Sequence, residues 1–282
     1  MKMIEAGGVR IATQSFGSAS DPAILLIMGA TASMLGWPDR LCLDLADRGF
    51  FVIRFDHRDT GQSTTLPPGQ ASYAAEDLAA DVIAILDGYG LKQATLMGMS
   101  LGGFIAQMVA LKHPQRVRSL ILVASEPLGW DGPALPNIPQ VFFDHLSGLQ
   151  TLDWSDHEAV VGFLARIEEL SAGPGDCPDS VQTRERIEQV LARTNSPASM
   201  FNHASMTTRE DWTGRFREIS RPVLVLHGNE DPLLPVENGR AVAEGIEGAE
   251  ILVIEGMGHA LPGSKLATLA EHAASHARNR QP

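Results

Sequence analysis

The chain has 282 residues, 44% hydrophobic and 20% charged, which suits one large α/β domain carrying an insertion. This composition excludes disorder as the overall state, and the net charge of −12 repels phosphate backbones, so we expect no nucleic-acid partner. The sequence shows no secretory signal pattern, and its apolar runs fall far short of the ~20 residues of a membrane span. We therefore expect a cytoplasmic protein without a membrane span.

Short apolar runs alternate with helix-like segments along most of the chain. Residues 4–16 are expected to form an antiparallel hairpin that turns near residues 6–8. The apolar runs predicted as strands are 23–28, 50–55, 94–97, 120–124, 223–226 and 251–254. The segments with helical character are 73–86 and 101–113. This alternation predicts an α/β fold with a mostly parallel sheet covered by helices on both faces.

The segment 127–220 interrupts that alternation between two late strands. It opens with several prolines, and it contains helix-like stretches over 158–170 and 181–193 but no run typical of a buried strand. It is too long for a plain loop, so we expect a helical cap over a core of 1–126 and 221–282. About half of its large apolar side chains are expected to line a pocket. They are Trp130, Phe142, Phe143, Trp154, Phe163, Met200, Phe201, Met206 and Trp212.

Residues 98–102 match the motif G-x-S-x-G in a strand–turn–helix context. The flanking glycines allow a turn so tight that side chains there would collide with neighbouring backbone. Such a turn exposes the hydroxyl of Ser100 at the N-terminus of a helix, where developing negative charge is favoured. Ser100 is therefore the candidate nucleophile.

A serine nucleophile needs a base, and the base needs an orienting acid. Asp231 follows the predicted strand 223–226, and His259 lies in a glycine-flanked loop after the last strand. The chain order Ser100, Asp231, His259 is the order expected of α/β-hydrolases. His57 precedes the nucleophile and is expected to be structural, and His227 is expected to pack at a strand end.

A second carboxylate competes for the role of the orienting acid. Glu126 follows the predicted strand 120–124, and hydrolases place the acid after either of these two strands. Asp231 is favoured because Glu126 opens the proline-rich route into the insertion.

Acyl transfer also needs donors for the tetrahedral oxyanion. The strand exit at residues 28–30 predicts the backbone N–H of Ala30 as one donor, and the residue after the nucleophile, Leu101, supplies the other.

Neither the cysteines nor the histidines predict a metal site or a disulfide. Cys42 and Cys177 are too few for a disulfide framework and are interpreted as incidental thiols. His272 and His276 share a helix face, but no third ligand accompanies them.

The loops around these residues resemble those of aclacinomycin methylesterases, members of the α/β-hydrolase superfamily. The similar segments are 28–30, 56–64 (DHRDTGQST) and 258–262 (GHALP). The resemblance implies a Ser-His-Asp triad without a cofactor and cleavage of the methyl ester of a polyketide. It also argues against haloalkane dehalogenases and epoxide hydrolases, which have aspartate where this chain has Ser100.

The favoured interpretation is a cofactor-free serine esterase acting on a small hydrophobic ester, with the natural substrate and homo-oligomerisation left open. One alternative is a serine aminopeptidase of the proline iminopeptidase type. It would need cap carboxylates for a substrate ammonium group, for which Glu158, Glu168 and Glu169 are the candidates. The other alternative is a ligand-binding protein that keeps the fold without turnover.

Overall fold

The computed structural model describes residues 1–136, 138–174 and 180–279. The strands of this part of the chain are β1 (Lys2–Ala6), β2 (Val9–Phe16), β3 (Ala23–Ile27), β4 (Phe51–Phe55), β5 (Ala94–Met99), β6 (Val117–Val123), β7 (Val223–Gly228) and β8 (Glu250–Ile254). The α-helices are α1 (Asp39–Asp47), α2 (Ala75–Gly88), α3 (Leu101–Lys112), α4 (Gln140–Ser147), α5 (His157–Ser171), α6 (Ser180–Arg193), α7 (Val236–Gly245) and α8 (Leu266–Asn279). None of the helices in these ranges is long and apolar enough to cross a membrane.

The strands form one sheet in the order β1-β2-β4-β3-β5-β6-β7-β8. β1 pairs antiparallel with β2, and β2 pairs antiparallel with β4, whereas every pair from β4 to β8 is parallel. The predicted mostly parallel sheet is confirmed. The expected hairpin is present as β1 and β2, which turn through Gly7 and Gly8 at positive φ.

Both faces of the sheet are buried, which explains why the inner strands read as continuous apolar runs. All residues of β3 are buried, and successive side chains point to opposite faces. Leu25 and Ile27 pack in one cluster with residues of α2, α3 and α7. Ile24 and Leu26 pack in a second cluster with residues of α1 and α8. The parallel sheet therefore lies between two helical layers.

The segment between β6 and β7 contains α4, α5, α6 and a 3₁₀ turn at Pro197–Ser205. It contacts the loops that follow β4 and β8. Arg193 at the end of α6 donates two hydrogen bonds, of 2.9 and 2.7 Å, to the buried carboxylate of Asp56. At the end of α5, the carbonyl oxygen of Ser171 accepts the N–H of His259 at 2.8 Å. These bonds attach the inserted helices to the edge of the sheet where the parallel strands end.

Three helices were not among the predicted elements: α1, α4 and α7. Each follows a proline at the N-cap position, Pro38, Pro139 and Pro235, where the missing N–H loses no intrahelical hydrogen bond. The proline-rich start of the insertion therefore contains a helix, α4, which begins directly after Pro139. Of the two cysteines, Cys42 is a buried free thiol, and Cys177 lies outside the described residues.

Candidate active site

Ser100 occupies the turn between β5 and α3 with a φ of 50° and a ψ of −120°. A positive φ is sparsely populated for a residue with a side chain, so the surroundings must hold the turn. The N–H of Ser100 donates to the carbonyl of Val123 at 2.9 Å, and the hydroxyl of Ser125 donates to the carbonyl of Ser100 at 2.9 Å. The end of the adjacent strand β6 and the residue Ser125 just beyond it thus fix the N–H and the carbonyl of the candidate nucleophile.

The two motif glycines are required by backbone contacts. A Cβ on Gly98 would lie 2.3 Å from the carbonyl oxygen of Gly102, and a Cβ on Gly102 would lie 2.0 Å from that of Ile27. Both distances are far below contact, so no side chain fits at either position without moving backbone. The steric interpretation of the motif agrees with these contacts.

Asp231 and His259 lie in the loops after β7 and β8, and the structure brings them together. Nδ1 of His259 is 2.8 Å from Oδ2 of Asp231. Because a carboxylate can only accept here, Nδ1 carries a proton, and in the neutral form of the ring Nε2 is left with a lone pair. Oδ1 of Asp231 accepts the N–H groups of Leu233 and Leu234 at 2.9 and 2.8 Å. The carboxylate is therefore held in one orientation, and it selects the tautomer that a general base requires.

The pKa of Asp231 lies well below its usual range. Burial alone would raise this pKa, but the positive charge of protonated His259, the nearby imidazole of His227, and hydrogen bonds from His259 and the Leu234 N–H outweigh burial. Asp231 is consequently ionised at neutral pH, and it can stabilise an imidazolium at His259.

His227 is buried beside this pair and does more than pack. Its Nε2 donates to the carbonyl of Leu234 at 2.7 Å and lies 3.5 Å from Oδ2 of Asp231. The sequence predicted only packing at the strand end. The spacing of four residues from His227 to Asp231 gave no signal for the contact, because such spacing brings side chains together on a helix and His227 lies in β7.

Ser100 and His259 line the same cavity of about 630 Å³. Within the described chain, the Ser100 hydroxyl makes no hydrogen bond, so it is not bonded to the imidazole of His259. Hydrogen bonds of this kind often tighten only when substrate is bound.

The two predicted oxyanion donors border the same cavity. Ala30 follows the exit of β3, where Gly29 packs against Ser100: a Cβ at Gly29 would lie 3.3 Å from that of Ser100. Leu101 is the first residue of α3, so helix geometry leaves its N–H without an intrahelical acceptor. Among the residues with described positions, neither N–H has an acceptor.

The cavity wall is mainly apolar. Of the nine large apolar side chains of the insertion singled out above, those that line it are Phe142, Phe143, Met200, Phe201 and Met206. The others pack elsewhere: Trp130 lies 5.9 Å from Phe216, Phe163 stacks on His145 at 4.2 Å, and Trp212 donates to Glu76. Trp154 packs 5.9 Å from Phe201, outside the lining.

Carboxylates enter the cavity wall at two places. Glu168 pairs with Arg186 at 2.8 Å. Glu126 makes no side-chain hydrogen bond or ion pair in the described ranges. Burial raises the pKa of Glu126, and the positive charge of His259 opposes that shift. Of the two acids that compete for the orienting role, only Asp231 hydrogen-bonds to His259.

The other candidate residues from the sequence, for binding a substrate ammonium group or a metal, do not form a site at the cavity. Glu158 pairs with Arg184, and Glu169 pairs with Arg166, both on the surface and outside the cavity lining. Across the residues that the structure describes, no group of three potential metal ligands comes together, His272 and His276 included.

His57 is fully buried next to the exit of β3. Its Nε2 donates to the carbonyl of Met28 at 2.9 Å, and its Nδ1 has no hydrogen-bond partner in the described chain. Burial, together with neighbouring His203, lowers the pKa of His57 to about 3. The imidazole is therefore neutral, and it makes no hydrogen bond to Ser100 or His259.

Replacing His57 with glutamine is expected to make folding less sensitive to acid. Because the folded pKa is about 3 and the unfolded value is about 6.5, the unfolded chain binds an extra proton below about pH 6.5. Through this group, the wild-type free energy of unfolding should fall by about 2 kcal/mol from pH 7.5 to pH 5. Glutamine can still donate to Met28 and does not titrate. Urea unfolding at both pH values measures the difference.

His272→Gln on α8 is the matched control, since it removes one partly exposed histidine by the same exchange. Its pH curve shows how much of any difference comes from the histidine-to-glutamine exchange itself. Parallel pH curves for wild type and His57→Gln would contradict the assignment of a neutral, buried His57.

Comparison with known proteins adds sequence and fold relatives. Residues 22–265 match the family model described as the alpha/beta hydrolase fold. The chain is 31% identical to rhodomycin D methylesterase of Streptomyces peucetius, covering 98% of each chain. It is 27% identical to 3-oxoadipate enol-lactonase 2 of Acinetobacter baylyi, over 89% of this chain and 87% of the relative. In structure it is similar to an esterase from Exiguobacterium antarcticum, with a TM-score of 0.79, 20% identity and coverage of 98% and 99%.

Proposed function

This chain belongs to the α/β hydrolase fold family, and from that premise we propose that it hydrolyses its substrate through an acyl-enzyme on Ser100. It is a carboxylic ester hydrolase, as its methylesterase and esterase relatives indicate. One observation carries the serine mechanism. The imidazole of His259, whose Nδ1 lies 2.8 Å from Oδ2 of Asp231, lines the same cavity as Ser100, which occupies a strained turn.

In the proposed reaction, the hydroxyl oxygen of Ser100 attacks the ester carbonyl carbon while Nε2 of His259 takes the hydroxyl proton. The N–H groups of Ala30 and Leu101 donate to the oxyanion that forms. The carbonyl then reforms as the bond to the alkoxy group breaks, and His259 returns the proton to the leaving alcohol. A water molecule attacks the acyl-enzyme by the same route. This releases the carboxylic acid and restores Ser100.

The proposed domain organisation follows from the chain's path. Residues 1–126 and 221–282 form the hydrolase core, and residues 127–220 form a cap on the loops after the strands. The bonds from Arg193 to Asp56 and from His259 to Ser171 support this division, because each joins the cap to a loop of the core. The cap thereby helps to place the base as well as the substrate.

The cavity favours a bulky hydrophobic acyl group. Its volume of about 630 Å³ accommodates a multi-ring acid, and its wall is largely aliphatic and aromatic. A methyl leaving group needs little of that space. The proposed substrate class is therefore the methyl ester of a large hydrophobic acid, and the name of the relative rhodomycin D methylesterase supports the methyl ester part of this proposal.

Three substrate sets test this proposal. Methyl esters of polycyclic aromatic acids should exceed long-chain triacylglycerols and N-terminal prolyl peptides in kcat/KM by at least ~10-fold. The three long chains of a triacylglycerol exceed the cavity, and the ammonium group of a prolyl peptide is poorly accommodated by an apolar wall. Side-by-side steady-state assays supply the comparison. Prolyl peptides as the best substrates would instead favour the aminopeptidase.

The aminopeptidase alternative lacks its cap carboxylates. Glu158 and Glu169 lie outside the cavity lining, and Glu168 is neutralised by Arg186.

The binding-protein alternative predicts a different result in an ester assay. A chain without turnover would release no p-nitrophenol from a p-nitrophenyl ester, whereas the esterase releases a burst stoichiometric with Ser100.

A further inference from the structure

The loop that leaves β3 has a strained residue next to the proposed oxyanion donor. Thr31 has a φ of 62°, in the left-handed region that a β-branched residue rarely adopts. Such conformations persist only where contacts hold them. The preceding residue, Ala30, lines the cavity, and its N–H has no acceptor in the described chain. The contacts of Thr31 therefore bear directly on the geometry of the oxyanion site.

The contact that holds Thr31 comes from the inserted segment. The N–H of Thr31 donates to Nδ1 of His203 at 3.0 Å, across 172 residues of sequence. Nε2 of the same ring lies 2.9 Å from the carbonyl of Arg58, which can only accept. His203 must then be the neutral tautomer with its proton on Nε2. Burial lowers its pKa and keeps it neutral, although the Arg58 carbonyl and the charge of Asp59 oppose that shift.

Two neutral imidazoles thus bracket the peptide that presents the Ala30 N–H. On one side, His57 binds the carbonyl of Met28 at 2.9 Å. On the other, His203 binds the N–H of Thr31. The two rings meet edge to face, with centroids 5.8 Å apart, so each limits the movement of the other. Both peptides adjoining the Gly29–Ala30 peptide are therefore fixed by side chains.

We propose that His203 is a positioning residue for ester hydrolysis: by accepting the Thr31 N–H through Nδ1, it holds the Ala30 N–H in place for the oxyanion. This inference rests on the proposed function and assigns a catalytic consequence to a residue of the cap. Loss of one oxyanion donor typically lowers kcat ~10² to 10³-fold. Displacement of the donor should lower kcat by a smaller factor, because part of the stabilisation remains.

Two substitutions separate the two bonds of His203. The side-chain oxygen of asparagine can take the place of Nδ1, so His203→Asn can keep the bond to Thr31. The longer glutamine places its amide nitrogen near the position of Nε2, so His203→Gln can keep the bond to Arg58 but not the bond to Thr31. Each variant is the matched control for the other, since both remove the ring and both retain one polar contact.

We expect His203→Gln to lower kcat on a neutral p-nitrophenyl ester about 30-fold with little change in KM, and His203→Asn to lose about fivefold or less. The inhibition constant of an aryl trifluoromethyl ketone, which forms an oxyanion on the serine, should rise in proportion to the loss in kcat/KM. A purely structural role would lower the active fraction without changing that constant. Equal kcat losses in both folded variants, or an unchanged inhibition constant, would overturn the proposal.

A measurement on the unmodified protein guards against variants that fail to fold. Nitrogen-15 NMR of labelled histidine should show His203 protonated at Nε2 and not at Nδ1, both free and with the ketone bound. A proton on Nδ1 would exclude the Thr31 bond and the proposal with it. A different result would refute the serine mechanism, namely ester hydrolysis by a folded Ser100→Ala protein. If Ser100→Ala is inactive while both His203 variants keep full kcat, only the positioning role is lost.

Discussion

Ser100→Ala is expected to lower kcat/KM for ester hydrolysis by several orders of magnitude while the protein stays folded. The acyl-enzyme needs the serine oxygen, and without it only oxyanion stabilisation and binding remain, worth ~10³ over the reaction in water. The fold should survive because the Ser100 hydroxyl makes no hydrogen bond in the described chain, and the bonds that fix the turn involve the Ser100 backbone. Steady-state assays and thermal unfolding measure the two effects.

Covalent labelling supplies the control for that result. A fluorophosphonate should add one adduct to the wild-type chain, at Ser100, and none to Ser100→Ala. Intact mass and peptide mapping detect the adduct. Near-normal hydrolysis by a folded Ser100→Ala protein would end the serine mechanism.

Asp231→Asn is expected to lower kcat by about 10⁴ if this site behaves like a serine-protease triad. The amide can donate to Nδ1 of His259, which leaves the proton on Nε2 and removes the lone pair that accepts the serine proton. The backbone N–H groups of Leu233 and Leu234 can still bond to the remaining amide oxygen, so folding should be preserved. Single-turnover assays with the p-nitrophenyl ester measure the acylation rate directly.

Glu126→Gln is the matched control, because it makes the same acid-to-amide exchange on the other candidate acid. Glu126 lies in the cavity wall without a hydrogen bond to His259. Its replacement should therefore lower kcat about tenfold or less, by changing the electrostatic interaction with His259 alone. If Glu126→Gln were inactive and Asp231→Asn nearly normal, the acid would be Glu126, and the assignments of Ser100 and His259 could still stand.

Local patterns in the sequence were sufficient for the central sheet. β3, β4 and β6 are buried on both faces, so they appear as apolar runs, and the glycines around Ser100 mark the strand–turn–helix connection. These signals are local because burial on two faces and a tight turn each constrain consecutive residues. Helices α1, α4 and α7 lacked such a signal. Each is short and begins after a proline that also occurs in loops.

The sequence could predict that Ser100, Asp231 and His259 lie near one another, because parallel strands bring the loops at their carboxyl ends to one edge of the sheet. The 2.8 Å bond from Asp231 to His259, and the lack of one from Glu126, required the structure, because both acids follow parallel strands. Sequence position alone does not separate them.

Only the tertiary structure decided how the inserted segment meets the site. Arg193 binds Asp56 across 137 residues, and His203 binds Thr31 across 172. Five of nine large apolar side chains turn toward the cavity, whereas Trp212 and Phe163 pack elsewhere. A contact between one side chain and one distant peptide group leaves no periodicity along the chain, because its geometry depends on how complete helices pack on the sheet. The sequence by itself therefore determined the fold class and the candidate triad, whereas packing of the cap decided the cavity wall and the support of the Ala30 loop.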